Sequence, residues 1–241
     1  MAERAALITG GSSGIGLAIA RALGEDGYGI TVSARRPEKL ESTAEELRAE
    51  GLDVLSLPAM MTDEEQIAGL FAAHRERWGR LDVLCNNAGV GIGEQMTEIT
   101  AKRLDIQLGA NLRGLIVATR EGLPMLKEAG AEHGKALIAN TASIAGKHGQ
   151  GWLAAYSATK FGVVGLSQAM HKELSREGIQ VTALCPGFVA TPMTDWIEGQ
   201  VPKEQMIQPD DIAASIRFLL STSPHCVVPE LQFIRPGDAE V

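Results

Sequence analysis

The sequence is poor in cysteine and in aromatic residues. Its three cysteines, Cys85, Cys185 and Cys226, stand far apart and form no CxxC pair, which excludes a disulfide framework and points to a reducing compartment. The histidines His74, His133, His148, His171 and His225 are scattered without HExxH-like spacing, so no metal site is expected. No segment approaches the roughly 18 consecutive apolar residues of a membrane span. The N-terminal stretch MAERAALITGGSSG lacks the long apolar region and cleavage site of a signal peptide. Runs of Lys and Arg are missing too. With 22 basic against 30 acidic residues the net charge is −8, a surface that repels phosphate backbones and anionic lipid. A cytoplasmic protein without nucleic-acid or membrane partners is the expectation. Nor is there a Pro/Ser-rich linker or a low-complexity stretch, so the 241 residues read as a single domain, 1–241.

What is present is an alternation of short apolar runs with longer amphipathic ones. Ala5 to Thr9, Gly29 to Ala34, Leu52 to Leu57, Leu81 to Cys85, Ala136 to Asn140, Ile179 to Cys185 and Leu231 to Ile234 are candidate strands, apolar enough to be covered on both faces. Ile15 to Glu25, Glu38 to Glu50, Glu64 to Trp78 and Tyr156 to Arg176 are candidate helices. Asp63 reads as an N-cap with Gln66 as its reciprocal partner, and Gly51 and Gly178 sit where helices should stop. Regular β-α alternation implies an α/β fold with a parallel sheet, right-handed crossovers and helices on both faces.

The first strand runs into Thr9-Gly10-Gly11-Ser12-Ser13-Gly14-Ile15-Gly16 and then a helix. That order sets backbone N–H groups and the positive end of a helix beside a diphosphate, and glycines allow the close approach. The spacing is TGxxxGxG, because position 19 is Ile19 rather than the last glycine of GxGxxG. An ordinary strand-helix turn is the plain alternative. After the second strand comes Ser33-Ala34-Arg35-Arg36, with no acid before Glu38. A carboxylate there suits the ribose hydroxyls of NAD, whereas Arg35 and Arg36 can pair with the extra phosphate of NADP. NADP(H) is therefore the expected cofactor over NAD(H), against the alternative of two solvated arginines.

Further on, Asn140-Thr141-Ala142-Ser143 is followed by Tyr156-Ser157-Ala158-Thr159-Lys160. Tyr156 and Lys160 are four apart and share one helix face. A tyrosine titrates near pH 10, and an ammonium close by stabilises phenolate and lowers that value, making the phenol a usable acid/base for an alcohol oxygen. Ser143 can hold that same oxygen. A YxxxK pair alone is common by chance, and a surface pair with an unrelated serine is the alternative.

Taken together, Thr9 to Gly16, Asn86-Asn87-Ala88-Gly89, Asn111, Ser143, Tyr156 with Lys160, and Pro186-Gly187 followed by Thr191 resemble the short-chain dehydrogenase/reductase family over essentially the whole chain. The resemblance implies a Rossmann-type, doubly wound, seven-stranded sheet and dimers or tetramers built through the helices around Asn111 and Tyr156. It makes Tyr156 the acid/base, Lys160 the residue that lowers its pKa and binds the nicotinamide ribose, and Ser143 the holder of the substrate oxygen. Asn111 is expected at a helix distortion in a proton relay. Gly10, Ser12, Ser13, Gly14, Ile15, Gly16, Asn87, Val189 and Thr191 match cofactor-contacting positions.

The chain also departs from the family pattern. Met60 stands where the family has an aspartate for the adenine amino group, and Leu231 to Gly237 lacks the common double glycine, being nearer the NADP-dependent hydroxy-acid and serine dehydrogenases. Substrate walls are expected from 91–96, 144–153 and 193–205. Trp152, Met193, Trp196 and Ile197 would supply apolar surface there, with Lys147 and Glu94 available to a polar group and His148 nearby. The segment 191–209 is expected to be a mobile lid. The function expected is hydride transfer between NADP(H) and an alcohol/carbonyl pair. Three rivals remain: an NAD-preferring enzyme, a reductase of carrier-bound 3-oxoacyl groups, and a non-catalytic NADP-sensing protein. Cys85 and Cys185 are expected to be buried and inert, and Glu41, Glu45, Glu46 and Glu50 to form a wet helix face.

Overall fold

A computed structural model describes residues 3–238. Seven strands alternate with seven helices: β1 (Ala5–Thr9), α1 (Gly14–Glu25), β2 (Gly29–Ala34), α2 (Pro37–Ala49), β3 (Val54–Pro58), α3 (Glu64–Trp78), β4 (Val83–Asn86), α4 (Ala101–Leu108), α5 (Gly114–His133), β5 (Ala136–Thr141), α6 (Ala154–Leu174), β6 (Ile179–Pro186), α7 (Pro209–Ser221) and β7 (Glu230–Phe233). The strands form one sheet in the order β3-β2-β1-β4-β5-β6-β7, and every pairing is parallel. This is the doubly wound, seven-stranded Rossmann-type sheet the sequence implied. Its strand order reverses between β1 and β4, and in such sheets the crevice at the carboxyl ends beside the reversal takes ligands.

The apolar strand runs are explained by burial on both faces. All of β1 and β6 is buried. Ala6, Ile8, Ile30 and Val32 join Ile19, Leu23, Leu40, Leu47, Ile212 and Ile216 in a core under α1, α2 and α7. Leu7, Leu84 and Ile138 join Ile67, Phe71, Val117, Leu126 and Met170 in a second core under α3, α5 and α6. Alternate residues of one strand thus feed opposite layers.

Boundaries shift where turn hydrogen bonding competes with the apolar pattern. Leu52 belongs to the turn after α2, its N–H bonded to the Leu47 carbonyl at 3.1 Å, so β3 starts two residues later than its hydrophobicity suggests. Gly51 (φ 88°) and Gly178 (φ 74°) do terminate helical turns in the left-handed region. Asp63 caps α3 by accepting from Glu65 and Gln66 N–H groups at 3.0 and 3.1 Å. Gln66 differs from expectation: its side chain accepts from the N–H of Met60, not of Asp63, because the Asp63 N–H is already bonded to the Met60 carbonyl. The segment after residue 191 contains two single helical turns, Pro192–Ile197 and Lys203–Gln205, closed at its neck by a parallel bridge between Val189 and Ile207.

Candidate active site

At the carboxyl end of β1 the chain turns through Gly10 (φ 69°) and Gly14 (φ 54°), conformations that a side chain resists. A Cβ on Gly16 would lie 2.4 Å from the Gly10 carbonyl oxygen and one on Gly14 2.7 Å from Thr191 Cγ2. The loop is therefore folded back on α1, and Thr191 reaches it from the far side of the reversal. Helix α1 begins at Ser13 with no side-chain cap and no acid in its first turn, leaving its positive end uncompensated by the protein. Ser12 is buried, and its carbonyl accepts from the Thr43 hydroxyl. Ile15 turns its side chain into the core, so only its backbone is available to a ligand.

Arg35 and Arg36 follow β2 and are exposed, with no ion-pair partner among the described residues. Two free cations one strand away from an uncapped helix start fit a ligand with a diphosphate and a further phosphate. Met60, just beyond β3, is half exposed and so offers apolar surface at the position the aspartate usually holds.

Asn87, expected at the cofactor, is also engaged by the chain itself. Its amide donates to the carbonyls of Thr9 (3.3 Å) and Gly10 (3.4 Å), and its oxygen accepts from Thr141 (3.1 Å). It ties the glycine loop to β5. Val189 is buried, and its carbonyl accepts from Thr194 at 2.6 Å. Both residues brace the loops that border the crevice.

Ser143, Tyr156 and Lys160 converge at the ends of β5 and β6. Ser143 ends the β5 loop, accepts from Ala145 N–H (3.2 Å) and donates to the Pro186 carbonyl (3.3 Å). Lys160 is buried, with Nζ 2.7 Å from the Thr141 carbonyl oxygen and 5.6 Å from the centre of the Tyr156 ring. Burial pushes its pKa down to about 8. Burial raises the Tyr156 phenol above its ordinary value, and the neighbouring Ser143 hydroxyl opposes that rise. The lowering of the tyrosine expected from Lys160 is not seen in the protein alone, where burial sets the direction and only Ser143 opposes it.

Asn111 lies in a π-helical turn, Gly109–Arg113, between α4 and α5, the helix distortion the resemblance implied. Its amide donates to the Val90 carbonyl (2.9 Å) and Thr159 hydroxyl (3.1 Å), while its oxygen accepts from Val90 N–H (2.7 Å). Thr159 in turn donates to the Tyr156 carbonyl at 2.7 Å. The side chain of Asn111 is therefore a brace between the β4 loop and α6. Thr159 was not singled out in the sequence, although its place one turn after Tyr156 on the same helix was a signal.

Around this centre, a Cβ on Gly91 would be 3.9 Å from both Tyr156 Cε2 and Met193 Sδ, so two of the three expected wall segments approach the tyrosine there. Trp152 and Trp196 touch, with ring centres 5.3 Å apart. Ile197 is buried and contributes to holding its turn rather than to open pocket surface. Lys147 and Glu94 are corrected: Lys147 pairs with Glu230 at 2.8 Å, and Glu94 is buried against Arg103. Both charges are countered, although Glu94 Oε2 is buried without a hydrogen-bond partner. His148 is exposed beside the site. His74 is a core residue, bonded to Thr31 (2.8 Å) and the Arg80 carbonyl (2.9 Å), and burial lowers it to about 4. Cys85 and Cys185 are buried thiols pushed up to about 12 by that burial. Among the described residues, no group of three or more His, Cys, Asp or Glu is arranged to hold a metal ion, and no helix is long and apolar enough to cross a membrane.

The chain is similar to known proteins over nearly its whole length. A family model described as short chain dehydrogenase matches residues 4–201. A candidate ketoacyl reductase of Streptomyces coelicolor is 39% identical over 236 residues, covering 89% of each chain. The 3-oxoacyl-(acyl-carrier-protein) reductase FabG of Staphylococcus aureus is 34% identical over 230 residues, covering 90% of this chain and 91% of that one. Among solved structures, a variant of actinorhodin polyketide ketoreductase with NADPH superimposes with a TM-score of 0.87 at 34% identity, over 96% of this chain and 97% of that one. A 3-ketoacyl-(acyl-carrier-protein) reductase of Brucella melitensis complexed with NADH gives 0.87 at 30% identity, over 96% of each.

Proposed function

The chain belongs to the short-chain dehydrogenase family and is an oxidoreductase of an alcohol/carbonyl pair; on that premise we propose that NADP(H) is its cofactor and that Tyr156 is its acid/base. The observation that carries the catalytic reading is the grouping of Tyr156, Ser143 and buried Lys160 at the carboxyl ends of β5 and β6. The cofactor preference is carried by Arg35 and Arg36, two exposed cations where an NAD enzyme places an acid. A relative solved with NADPH supports that preference, while another solved with NADH keeps NAD as the alternative to be measured.

The residues that would hold the cofactor are Gly10, Ser12, Ser13, Gly14, Ile15 and Gly16 through backbone groups, Arg35 and Arg36 at the added phosphate, and Lys160 and Thr191 near the nicotinamide end. When bound, the nicotinamide supplies or accepts the hydride. The protein's part is the proton. Ser143, turning its hydroxyl from the Pro186 carbonyl, would donate a hydrogen bond to the carbonyl oxygen and fix it beside Tyr156. The phenol, kept protonated by burial, gives its proton to that oxygen as negative charge develops there. The phenolate that forms is stabilised by the Lys160 ammonium, whose Nζ lies 5.6 Å from the centre of the Tyr156 ring. Asn111 and Thr159 hold the helix turn that carries Tyr156.

Tyr156→Phe removes the proton donor and leaves the packing nearly unchanged. Reduction of a panel of ketones is expected to fall by about a hundredfold or more, while NADPH affinity, followed by nicotinamide fluorescence, stays within a few-fold. Retained turnover in Tyr156→Phe overturns the catalytic reading and favours the cofactor-sensing alternative. In the same assay Arg35→Ala is expected to weaken NADPH and leave NADH unaffected; equal losses overturn the cofactor preference. A 3-oxoacyl substrate is the second reading, favoured by what the curated relatives are named for.

We also read the chain as a homo-oligomer, a dimer or tetramer. Exposed Leu108, Ile116 and Phe161 lie on α4, α5 and α6, and Leu108 and Ile116 with Leu112 line a shallow apolar groove, surface that a second copy would cover.

A further inference from the structure

Trp152 is the only described non-glycine residue with a positive φ, 67°. An aromatic residue in the left-handed region costs on the order of one to two kcal/mol, so something must hold it there. Three contacts do. The Trp152 carbonyl accepts from Glu94 N–H at 2.7 Å. The indole occupies the space above Gly93, where an added Cβ would lie 2.4 Å from its ring. The ring also meets Trp196, with centres 5.3 Å apart, and Trp196 meets Phe188 at 6.2 Å edge-on. The strained residue thus joins three separate segments: the β4 loop, the turn before α6 and the segment after β6. The first and last of these segments also approach Tyr156, through Gly91 and Met193.

Despite these contacts, Trp152 and Trp196 remain 44% and 53% exposed, so aromatic surface is left over for a ligand. The cations on the flanking segments are already neutralised: Lys147 by Glu230, Lys203 by Asp195 and Arg235 by Asp238. The wall next to the candidate acid/base is therefore aromatic, its two indoles tilted 58° to one another, and the cations flanking it are paired.

We propose that Trp152 is a specificity-determining residue and that, with Trp196, it selects uncharged ketones whose carbonyl lies a few atoms from a planar aromatic group. This rests on the reading of Tyr156 as acid/base and adds the substrate class. An indole pair prefers an aromatic over a saturated ring of the same size by electrostatics, beyond simple burial. Saturated rings are at least as hydrophobic, so a preference for the aromatic one separates stacking from area.

The test compares benzylacetone with its cyclohexyl analogue, whose carbonyls are chemically alike because the ring is not conjugated to them. With NADPH and the full-length protein, kcat/KM is expected to favour benzylacetone by about fivefold or more, expressed mainly in KM. Trp152→Gly relieves the backbone strain and removes the indole, so it is expected to fold and to bring the two ketones within about twofold. Trp152→Asn, which also tolerates this backbone, repeats the test should the glycine variant be unstable. Trp152→Phe should restore most of the preference. No preference in the wild-type protein, or an equal loss for both ketones in Trp152→Gly, overturns the proposal. Should neither ketone be reduced, calorimetric affinities of the two for the NADPH complex give the same comparison. Tyr156→Phe run in parallel distinguishes the failures: if it abolishes reduction while the ratio is unmoved by Trp152→Gly, the acid/base reading stands and this one falls.

Discussion

The Lys160 ammonium sits 5.6 Å from the centre of the Tyr156 ring, and burial acts on the two groups in opposite directions. Lys160 is lowered to about 8 and Tyr156 is raised, so near neutral pH the phenol is protonated and the lysine charged. That combination suits carbonyl reduction: the proton is in place, and the charge that stabilises phenolate is in place before it forms. Above about 8 the lysine loses its proton. Reduction is therefore expected to show a level kcat/KM below that pH and a decline above it. Lys160→Met should lower the plateau and remove that inflection. A decline unchanged in Lys160→Met would assign it to another group.

The same lysine should destabilise the protein without ligand. Its folded pKa lies below its ordinary value of 10.5, so the charged form is penalised in the native state. The penalty is full below the folded pKa, where both folded and unfolded chains carry the charge. It fades between about 8 and 10.5 and is absent above. The shift corresponds to about 3 kcal/mol, partly offset in Lys160→Met by loss of the bond to the Thr141 carbonyl, worth about 1–2 kcal/mol. Lys160→Met is expected to stabilise the protein by about 1–2 kcal/mol in urea unfolding at neutral pH, with the gain shrinking toward pH 10. A destabilised variant at neutral pH would show that packing, not desolvation, dominates at this position.

The sheet was legible because strands buried on both faces carry a local signature: Ala5–Thr9 and Gly29–Ala34 needed no tertiary information. The ends of elements were less so. Leu52 is as apolar as any strand residue, yet a hydrogen bond to the preceding helix claims it. At the site, residue types at fixed spacing marked Tyr156, Lys160 and Ser143, whereas partners brought from distant segments stayed hidden. Nothing near Glu94 or Lys147 in sequence announces Arg103 or Glu230 as its counter-charge, so both had looked available. The positive φ of Trp152 depends on Gly93 and Trp196, 59 and 44 residues away in the chain respectively, and no local pattern encodes it. Asn87 was found by motif, but its bracing of Thr9, Gly10 and Thr141 appears only when β1, β4 and β5 are side by side.

Two helical glycines should answer the same substitution with opposite signs. Gly69 lies on the exposed side of α3, and a Cβ there meets nothing within 4 Å. Gly69→Ala is expected to add about 0.5–1 kcal/mol of stability by reducing the freedom of the unfolded chain. Gly16 lies in the first turn of α1, where a Cβ would fall 2.4 Å from the Gly10 carbonyl oxygen and 2.6 Å from Asn87 Nδ2. Neither neighbour can yield cheaply: one is backbone in a turn with positive φ, the other is bonded to Thr9, Gly10 and Thr141. Gly16→Ala must open the glycine loop, so its cost should fall on NADPH affinity as well as on folding, by about tenfold or more in Kd against a stability loss of about 1–3 kcal/mol. Thermal unfolding of both variants with and without NADPH checks this. In Gly69→Ala the cofactor-induced rise in Tm should match that of the wild type, and in Gly16→Ala it should shrink. An undiminished rise in Gly16→Ala would mean that the loop does not cradle the diphosphate.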